Sequence, residues 1–396
     1  MVSLTENAPF HYIPRFAMLQ FSMEGSRVDI QDLIRPAVLK LPTYVPGKPI
    51  EELERELGIG GAIKMASNEN PLGPSDEVRR AIALAAGKSA IYPDANAFYL
   101  KEALAASLQV EASNLLVGNG LDDVLRILAE TFFSPGDEVV LPRPSFSVYE
   151  SVSLLADARP VPVRGEAGLG NDLVAMGAAV TERTKAVFIC NPNNPTGTFV
   201  RGPELAEFLA GLPPSVLVVV DEAYADFADD PGFPQVLPLI REGDRRLILL
   251  RTFSKIHGMA GLRLGVAVAQ REIVAAMLKV KDPFNVNSLA LEAGIAALGS
   301  VAHVERSREL VRQGRLRFYA ELEGLGLEYL PTQANFILVD LKRDSRPLYD
   351  YLLGRGLIVR PTHSFGLPTC LRVTFGTPAH NDRFFELFRE GLKAGL

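Results

Sequence analysis

Hydrophobic and polar positions follow two different patterns along residues 74–290. Apolar residues three or four positions apart predict helices over residues 75–86, 101–108 and 121–133. Short, nearly continuous apolar runs occupy residues 114–118, 138–141, 186–190, 216–220 and 247–250. Runs of this length that alternate with helices are typical of parallel strands buried on both faces. The pattern therefore predicts an α/β fold with a mostly parallel central sheet covered by helices.

The pattern changes near residue 290, where long helices and then mixed strands and helices follow. With 396 residues, the chain also exceeds the ~150 residues of an average domain. We therefore expect a large domain over 74–290 and a smaller α+β domain over 291–396, to which 41–73 contributes. Residues 1–40 are weakly patterned and fit either a poorly ordered N-terminal extension or an overlong gene start.

Composition narrows the class of protein. A net charge of −6 gives no reason to expect nucleic acid or an anionic membrane as a partner. No apolar run approaches the ~18 residues of a membrane span, and Glu6 and Pro9 interrupt any signal-peptide pattern. Cys190 and Cys370 are far apart and in no metal-ligand spacing. We therefore expect a cytoplasmic protein without a metal site.

Polar segments lie next to predicted strands, where open α/β sheets bind ligands. They cover residues 118–120, 191–198, 221–224 and 251–263. Each has an ordinary interpretation when taken alone. The proline-rich 191–198 segment suits a rigid turn, Asp221 suits a helix cap, and Lys255 suits a solvated surface. Their combination suggests a shared ligand.

The chemistry of these residues indicates pyridoxal phosphate (PLP). A lysine just after a buried strand, such as Lys255, has a lowered pKa and becomes a nucleophile toward an aldehyde. Asp221 suits a pyridine nitrogen that must stay protonated, and Asn194 and Tyr224 suit a phenolic oxygen. The helix start at 120, together with the Ser254 hydroxyl and the Arg263 guanidinium, suits a phosphate.

These segments resemble the fold-type I PLP-dependent enzymes of the class I and II aminotransferase superfamily. From about Tyr44 to the C-terminus, the chain is similar to the histidinol-phosphate aminotransferase family. The segment at 251–263 carries the superfamily resemblance, and those at 41–52 and 67–75 point to this branch. The other matching segments are 91–94, 191–198, 221–224 and 283–287.

The resemblance implies a role for each matching residue in the cofactor site. Lys255 would bond covalently to the cofactor and move the proton, and Phe146 would stack on the ring, where the family often has tyrosine. Asp221 would pair with the ring nitrogen, and Asn194 and Tyr224 with the phenolic oxygen. The phosphate would be bound by Ser254, Arg263 and the amides around Gly120, Leu121 and Asp122.

The resemblance also implies a homodimer with a composite site. Tyr92 would reach the cofactor phosphate from the other subunit, although a loop tyrosine packed before Pro93 is an alternative. Arg360 and Arg372 would bind the anionic end of the substrate. A surface salt bridge remains an alternative for Arg360, whereas a buried Arg372 would need an anionic partner.

Four further positions complete the expected site. Tyr44 and Asn68 would line its substrate end. His257 departs from the tyrosine or phenylalanine common in the family, and we interpret it as a packing or hydrogen-bonding residue. His363 is interpreted as a loop histidine near the substrate.

The resemblance implies transamination of histidinol phosphate in histidine biosynthesis. The amino group would pass to 2-oxoglutarate, which becomes glutamate. An aromatic amino-acid aminotransferase remains an alternative. A threonine-phosphate decarboxylase would share the cofactor site, but the Tyr44 segment argues against it. A PLP-binding transcription regulator would need a basic DNA-binding module that about 40 spare residues cannot supply. No predicted strand precedes a Gly-x-Gly-x-x-Gly motif, which argues against a nicotinamide-dependent enzyme.

Overall fold

The computed structural model describes residues 29–41, 43, 47–165 and 170–396. The strands are β1 (Ile63–Lys64), β2 (Leu115–Gly118), β3 (Glu138–Pro142), β4 (Arg159–Val163), β5 (Thr184–Cys190), β6 (Leu217–Asp221), β7 (Leu247–Thr252), β8 (Gly265–Ala269), β9 (Glu328–Tyr329), β10 (Phe336–Asp340), β11 (Leu357–Ile358), β12 (Arg360–Pro361) and β13 (Cys370–Thr374).

The helices alternate with these strands in the first two thirds of the chain and dominate the last third. They are α1 (Ile30–Leu33), α2 (Pro36–Leu39), α3 (Ile50–Leu57), α4 (Asp76–Ala86), α5 (Phe98–Leu108), α6 (Leu121–Phe132), α7 (Val148–Leu155), α8 (Leu173–Ala178), α9 (Gly202–Gly211), α10 (Val236–Arg241), α11 (Arg271–Met277), α12 (Ser288–Gly299), α13 (Val301–Gly324), α14 (Arg346–Leu353) and α15 (Pro378–Lys393).

A seven-stranded sheet forms the centre of the larger part, in the order β2-β8-β7-β6-β5-β3-β4. Strand β8 runs antiparallel to both of its neighbours, and the other pairs are parallel. Apolar side chains on one face pack against α4, α5 and α12, and those on the other face pack against α6, α7 and α11. The predicted mostly parallel sheet with helices on both faces is confirmed.

Two strands and one helix start differ from the sequence pattern. Strand β4 was not predicted, because Pro160 and Pro162 interrupt its apolar run. It lies at the sheet edge, where a proline without an N–H group is tolerated. Strand β8 follows the polar segment 251–263 and was also missed. Helix α5 begins at Phe98, three residues before the predicted start.

A smaller antiparallel sheet, in the order β12-β13-β10-β9, lies in the C-terminal part. Its core contains Phe336 and Phe375, against which α13, α14 and α15 pack. Strand β1 pairs with β11, so the segment before α4 joins this part of the fold. This arrangement brings β13 next to the backbone of residues 65–68, as the hydrogen bond from Thr374 N to Met65 O shows.

The N-terminal region is described only in part. Helices α1 and α2 lie within residues 29–40, and Arg35 pairs with Asp157 at 2.9 Å. Residues 1–28 lie outside the described residues, so the N-terminal extension expected there stays a prediction. Among the described helices, none combines the length and the apolar character that a membrane span requires.

Candidate active site

A cavity of about 280 Å³ opens at the carboxyl ends of β5, β6 and β7. Parallel strands place these ends at one edge of the sheet, so segments distant in sequence meet there. Nine of the predicted residues line it, namely Leu121, Asp122, Phe146, Asn194, Asp221, Tyr224, Ser254, Lys255 and Arg263. The remaining lining residues are Ser67, Glu69, Cys190, Ala223, Thr252 and Ala260.

Lys255 follows β7 and points into this cavity. Its Nζ donates a hydrogen bond to Ser67 O at 3.1 Å and lies 5.6 Å from the centre of the Tyr224 ring. Burial, together with the positive charge of Arg372, lowers the pKa of Lys255 to about 8. An amine with this pKa spends a larger fraction of its time neutral and nucleophilic than a surface lysine does.

Asp221 ends β6 and is held by two donors. Its Oδ1 accepts a hydrogen bond from Ala223 N at 3.0 Å, and its Oδ2 accepts one from Tyr149 Oη at 2.6 Å. The pKa of Asp221 is raised by burial, and these two hydrogen bonds oppose that rise only in part. The sequence analysis did not identify Tyr149 as a site residue, because a tyrosine on the apolar face of a helix is usually a core residue. Its spacing of three residues from Phe146 was the available signal, and the two rings pack at 5.5 Å.

Tyr224 and Asn194 form another wall of the cavity, and each is hydrogen-bonded to a neighbouring side chain. Asn68 Nδ2 donates to Tyr224 Oη at 2.9 Å, so the Tyr224 hydroxyl hydrogen is available to a ligand in the cavity. Burial raises the pKa of Tyr224 to about 12, which keeps it a donor. Asn194 Oδ1 accepts from Arg372 Nη1, so Asn194 in this orientation offers its amide nitrogen as a donor. Asn68 and Arg372 therefore orient the two donors of this wall.

The opposite end of the cavity is cationic. Gly120 caps α6 with φ at 81°, and a Cβ atom there would lie only 2.6 Å from Arg263 Nη2. Arg263 Nη1 donates to Ala260 O at 3.1 Å and to Ser254 Oγ at 3.4 Å. The start of a 12-residue helix, a hydroxyl and a guanidinium thus converge, which is a suitable arrangement for a phosphate.

Arg360 and Arg372 are directly opposite each other in the β12–β13 register. Arg372 is 6% exposed, and its Nη2 donates to Ala66 O. Arg360 is partly buried, and a Cβ atom on Gly47 would lie 3.9 Å from its Nη1. Because opposite residues of an antiparallel pair project from the same face of the sheet, the two positive side chains favour an anion near that face.

Three other predicted residues, Tyr92, His257 and His363, do not line this cavity. Tyr92 is 80% exposed and stacks on Phe284, with ring centres 4.8 Å apart. His257 stacks on Phe253 at 4.9 Å, and burial lowers its pKa to about 4, in keeping with its interpretation as a packing residue. His363 bonds to Asp344 at 2.9 Å. Tyr44 lies outside the described residues.

Comparison with known proteins agrees with this geometry. Residues 61–388 match the family model described as aminotransferase class I and II. The chain therefore belongs to the class I and II aminotransferases.

More specific relatives narrow the family. The chain is 51% identical to the histidinol-phosphate aminotransferase of Moorella thermoacetica over 356 residues, which are 90% of this chain and 92% of that protein. Identity to the same enzyme of Symbiobacterium thermophilum is 46%, over 91% of this chain and 99% of that one. The crystal structure of histidinol-phosphate aminotransferase from Sinorhizobium meliloti in complex with PLP superposes with a TM-score of 0.82. It is 28% identical and covers 96% of this chain and 100% of its own. Within the class, the chain belongs to the histidinol-phosphate aminotransferase family, as its motifs predicted.

Proposed function

We propose that this protein is a PLP-dependent aminotransferase that converts histidinol phosphate and 2-oxoglutarate into imidazole acetol phosphate and glutamate, in histidine biosynthesis. The observation that carries the proposal is the cavity that joins Lys255, Asp221 and the phosphate-binding end at Arg263. Relatives named for this activity support the choice of substrate.

The donors around the cavity fit PLP at each of its polar groups. Ser254, Arg263 and the amides that begin α6 would hold its phosphate, and Phe146 would cover the ring face. Asp221 would hold the ring nitrogen, and Asn194 and Tyr224 would donate to the phenolic oxygen. When bound, this cofactor supplies an aldehyde for the amino group and an electron-withdrawing ring.

The protein's own residues would bind the substrate and move its proton. Arg372 would hold the phosphate of histidinol phosphate or the α-carboxylate of glutamate, because its planar fork suits both anions. The neutral amine of Lys255 would take the Cα proton and hold it at Nζ, where Ser67 O accepts a hydrogen bond. Asp221, ionised by its two donors, would keep the ring nitrogen protonated.

A homodimer is part of the proposal. Residues 84–99 carry several exposed apolar and aromatic side chains, and Tyr92 among them stacks on the exposed ring of Phe284. The others are Leu84, Ile91, Phe98 and Tyr99. Lys281 fixes this surface through hydrogen bonds to Ala95 O at 3.1 Å and Asn285 Oδ1 at 3.0 Å. Exposed apolar side chains in this number favour an interface. A second copy packed here would allow Tyr92 to reach the partner's cofactor phosphate.

We also expect a reducing, cytoplasmic location, since both cysteines are buried and unpaired.

Two measurements test the proposal. Borohydride treatment of the purified, yellow protein should fix the cofactor to Lys255, and a label on another lysine would contradict the assignment. Values of kcat/KM should then be compared for histidinol phosphate, phenylalanine, tyrosine and aspartate, each with 2-oxoglutarate. A preference for phenylalanine or tyrosine would favour the aromatic aminotransferase instead.

A further inference from the structure

Among the described residues, three carboxylates line the cavity, and two of them, Asp221 and Asp122, lie at the proposed cofactor site. Asp221 is held by Tyr149 and Ala223, and Asp122 lies 3.4 Å from Arg263 at the phosphate end. The third is Glu69, whose Oε1 accepts a hydrogen bond from Lys64 Nζ at 2.7 Å. Glu69 lines the cavity, and Lys64 lies directly behind it with a side chain that is 20% exposed.

The backbone between these two residues follows the substrate end of the cavity. Met65 O accepts from Thr374 N, Ala66 O accepts from Arg372 Nη2, and Ser67 O accepts from Lys255 Nζ. Lys64 itself pairs with Ile358, two residues before Arg360. Glu69 therefore enters the cavity from the side of the small sheet that carries Arg372. Glu69 and Lys255 line the same cavity, and the negative charge of Glu69 raises the pKa of Lys255 against the larger lowering effect of burial.

The two amino donors, histidinol phosphate and glutamate, have opposite hydrogen-bonding requirements at the substrate end of the cavity. Once each has placed an anion at Arg372, histidinol phosphate still carries an imidazole, whose ring N–H requires an acceptor. Glutamate carries a γ-carboxylate, which requires a donor, preferably a cation. A cavity that takes both substrates in turn needs an acceptor and a cation close together.

We infer, on the basis of the proposed function, that Glu69 and Lys64 together recognise the substrate side chain. Glu69 accepts a hydrogen bond from the imidazole N–H of histidinol phosphate, and Lys64 binds the γ-carboxylate of glutamate. Between substrates the two side chains neutralise each other, so the Glu69 carboxylate is not left unpaired in the cavity wall. Phenylalanine offers no polar group to either, so its ring would desolvate the pair without compensation.

Matched methionine variants of the holoenzyme test this inference. Glu69→Met and Lys64→Met each remove one charge and keep a long side chain. The half-reactions with histidinol phosphate and with glutamate are followed separately in single turnover, by the absorbance of the bound cofactor. Losing a charge-assisted hydrogen bond should weaken recognition about ten-fold or more. The ratio of histidinol-phosphate to glutamate efficiency should thus fall about ten-fold in Glu69→Met and rise about ten-fold in Lys64→Met.

A third variant controls for the loss of an ion pair as such. Glu328→Met breaks the Lys342–Glu328 pair, which has the same 2.7 Å length and joins β9 to the residues after β10, outside the cavity. Its ratio should match that of the wild type. Cofactor content and melting temperature are measured for all three, so that a misfolded variant is recognised.

The outcomes are distinct. Opposite movement of the ratio in the two variants supports the inference. A ratio within two-fold of the wild type in both, or an equal loss of both half-reactions, overturns it and leaves the pair with a structural role only. A wild-type protein that turns over glutamate but not histidinol phosphate overturns the proposed function itself, and this result appears before any variant is made.

Discussion

Tyr149 Oη lies 2.6 Å from Asp221 Oδ2, and both side chains are almost wholly buried. Burial raises the pKa of the Tyr149 phenol well above its ordinary value, so the phenol remains a donor at any physiological pH. Its ring is fixed by stacking on Phe188 at 4.7 Å. The ionised form of the buried Asp221 carboxylate is therefore stabilised by a neutral donor, the Tyr149 hydroxyl, whose position is fixed by packing of its ring.

Removing that hydroxyl should weaken the cofactor site. In Tyr149→Phe, Asp221 keeps only the Ala223 N–H, and burial then favours its neutral form. We expect the dissociation constant for PLP to rise about ten-fold, the effect of one hydrogen bond to a charged group, and kcat to fall with it. Titration of the apoprotein with PLP measures the first effect. Tyr319→Phe, which removes a hydroxyl bonded to Thr332 in the smaller part, should leave cofactor affinity unchanged. Unchanged affinity in Tyr149→Phe would mean that its ring alone matters.

A methyl group at Gly120 should displace Arg263. Alanine there would place Cβ 2.6 Å from Arg263 Nη2, in addition to the strain of φ at 81°. Gly136 is the matched control, since its φ is 94° and nothing lies within 4 Å of its Cβ position. Both alanine variants should lose about 1–3 kcal/mol of unfolding free energy, because a side chain is strained at a positive φ. Only Gly120→Ala should also lose cofactor affinity, by about ten-fold, and equal affinities would remove Gly120 from the phosphate site.

The lowered pKa of Lys255 predicts a pH-dependent stability in the apoprotein. In the folded state this pKa is about 8, against 10.5 for the ordinary side chain. Between these values the unfolded chain binds more protons, so the stability of the wild type should rise with pH across this window. Below pH 8 the protonated lysine costs ~3 kcal/mol, at 1.36 kcal/mol per pKa unit. Lys255→Met removes that cost, so it should be the more stable protein at pH 7, and its advantage should shrink toward pH 10.5. Urea denaturation at several pH values would show this, and a constant difference between the two proteins would contradict it.

Arg372→Lys should impair both half-reactions. The guanidinium reaches Asn194 Oδ1 and Ala66 O with two different nitrogens, which a single ammonium group cannot do. Truncating one partner of a buried ionic contact costs ~2–5 kcal/mol, or roughly thirty- to several-thousand-fold in kcat/KM. Histidinol phosphate and glutamate should both be affected, while PLP content stays constant. Full activity with histidinol phosphate would show that Arg372 is structural.

Subunit mixing tests the role of Tyr92. Lys255→Ala and Tyr92→Phe each impair both sites of their own homodimer. A hybrid dimer should regain one intact site if Tyr92 acts across the interface, since one site then has both native residues. The measurement is activity after confirmed subunit exchange. A mixture no more active than its parents would place Tyr92 outside the partner's site.

The sequence was most informative where one physical requirement determined the pattern. The strands that end near Cys190 and Asp221 are buried on both faces, so nearly every position had to be apolar. Strand β4 could not be recognised because edge strands tolerate the prolines that usually mark loops. Tyr149 and Glu69 were missed for another reason. Their roles depend on the neighbours that folding brings to them, Asp221 and Lys64, and Tyr149 lies 72 positions from its partner.

The short run from Met65 to Ser67 also determines where the chain can change in length. Its successive carbonyl groups bond to Thr374, Arg372 and Lys255, so each oxygen has its own partner. Deleting or inserting one residue there would move every carbonyl to the wrong partner at once. The glycines at 58, 60 and 61, just upstream, have open space around their Cβ positions. Insertions should therefore be tolerated at residues 58–61, whereas insertions at residues 65–67 should abolish function.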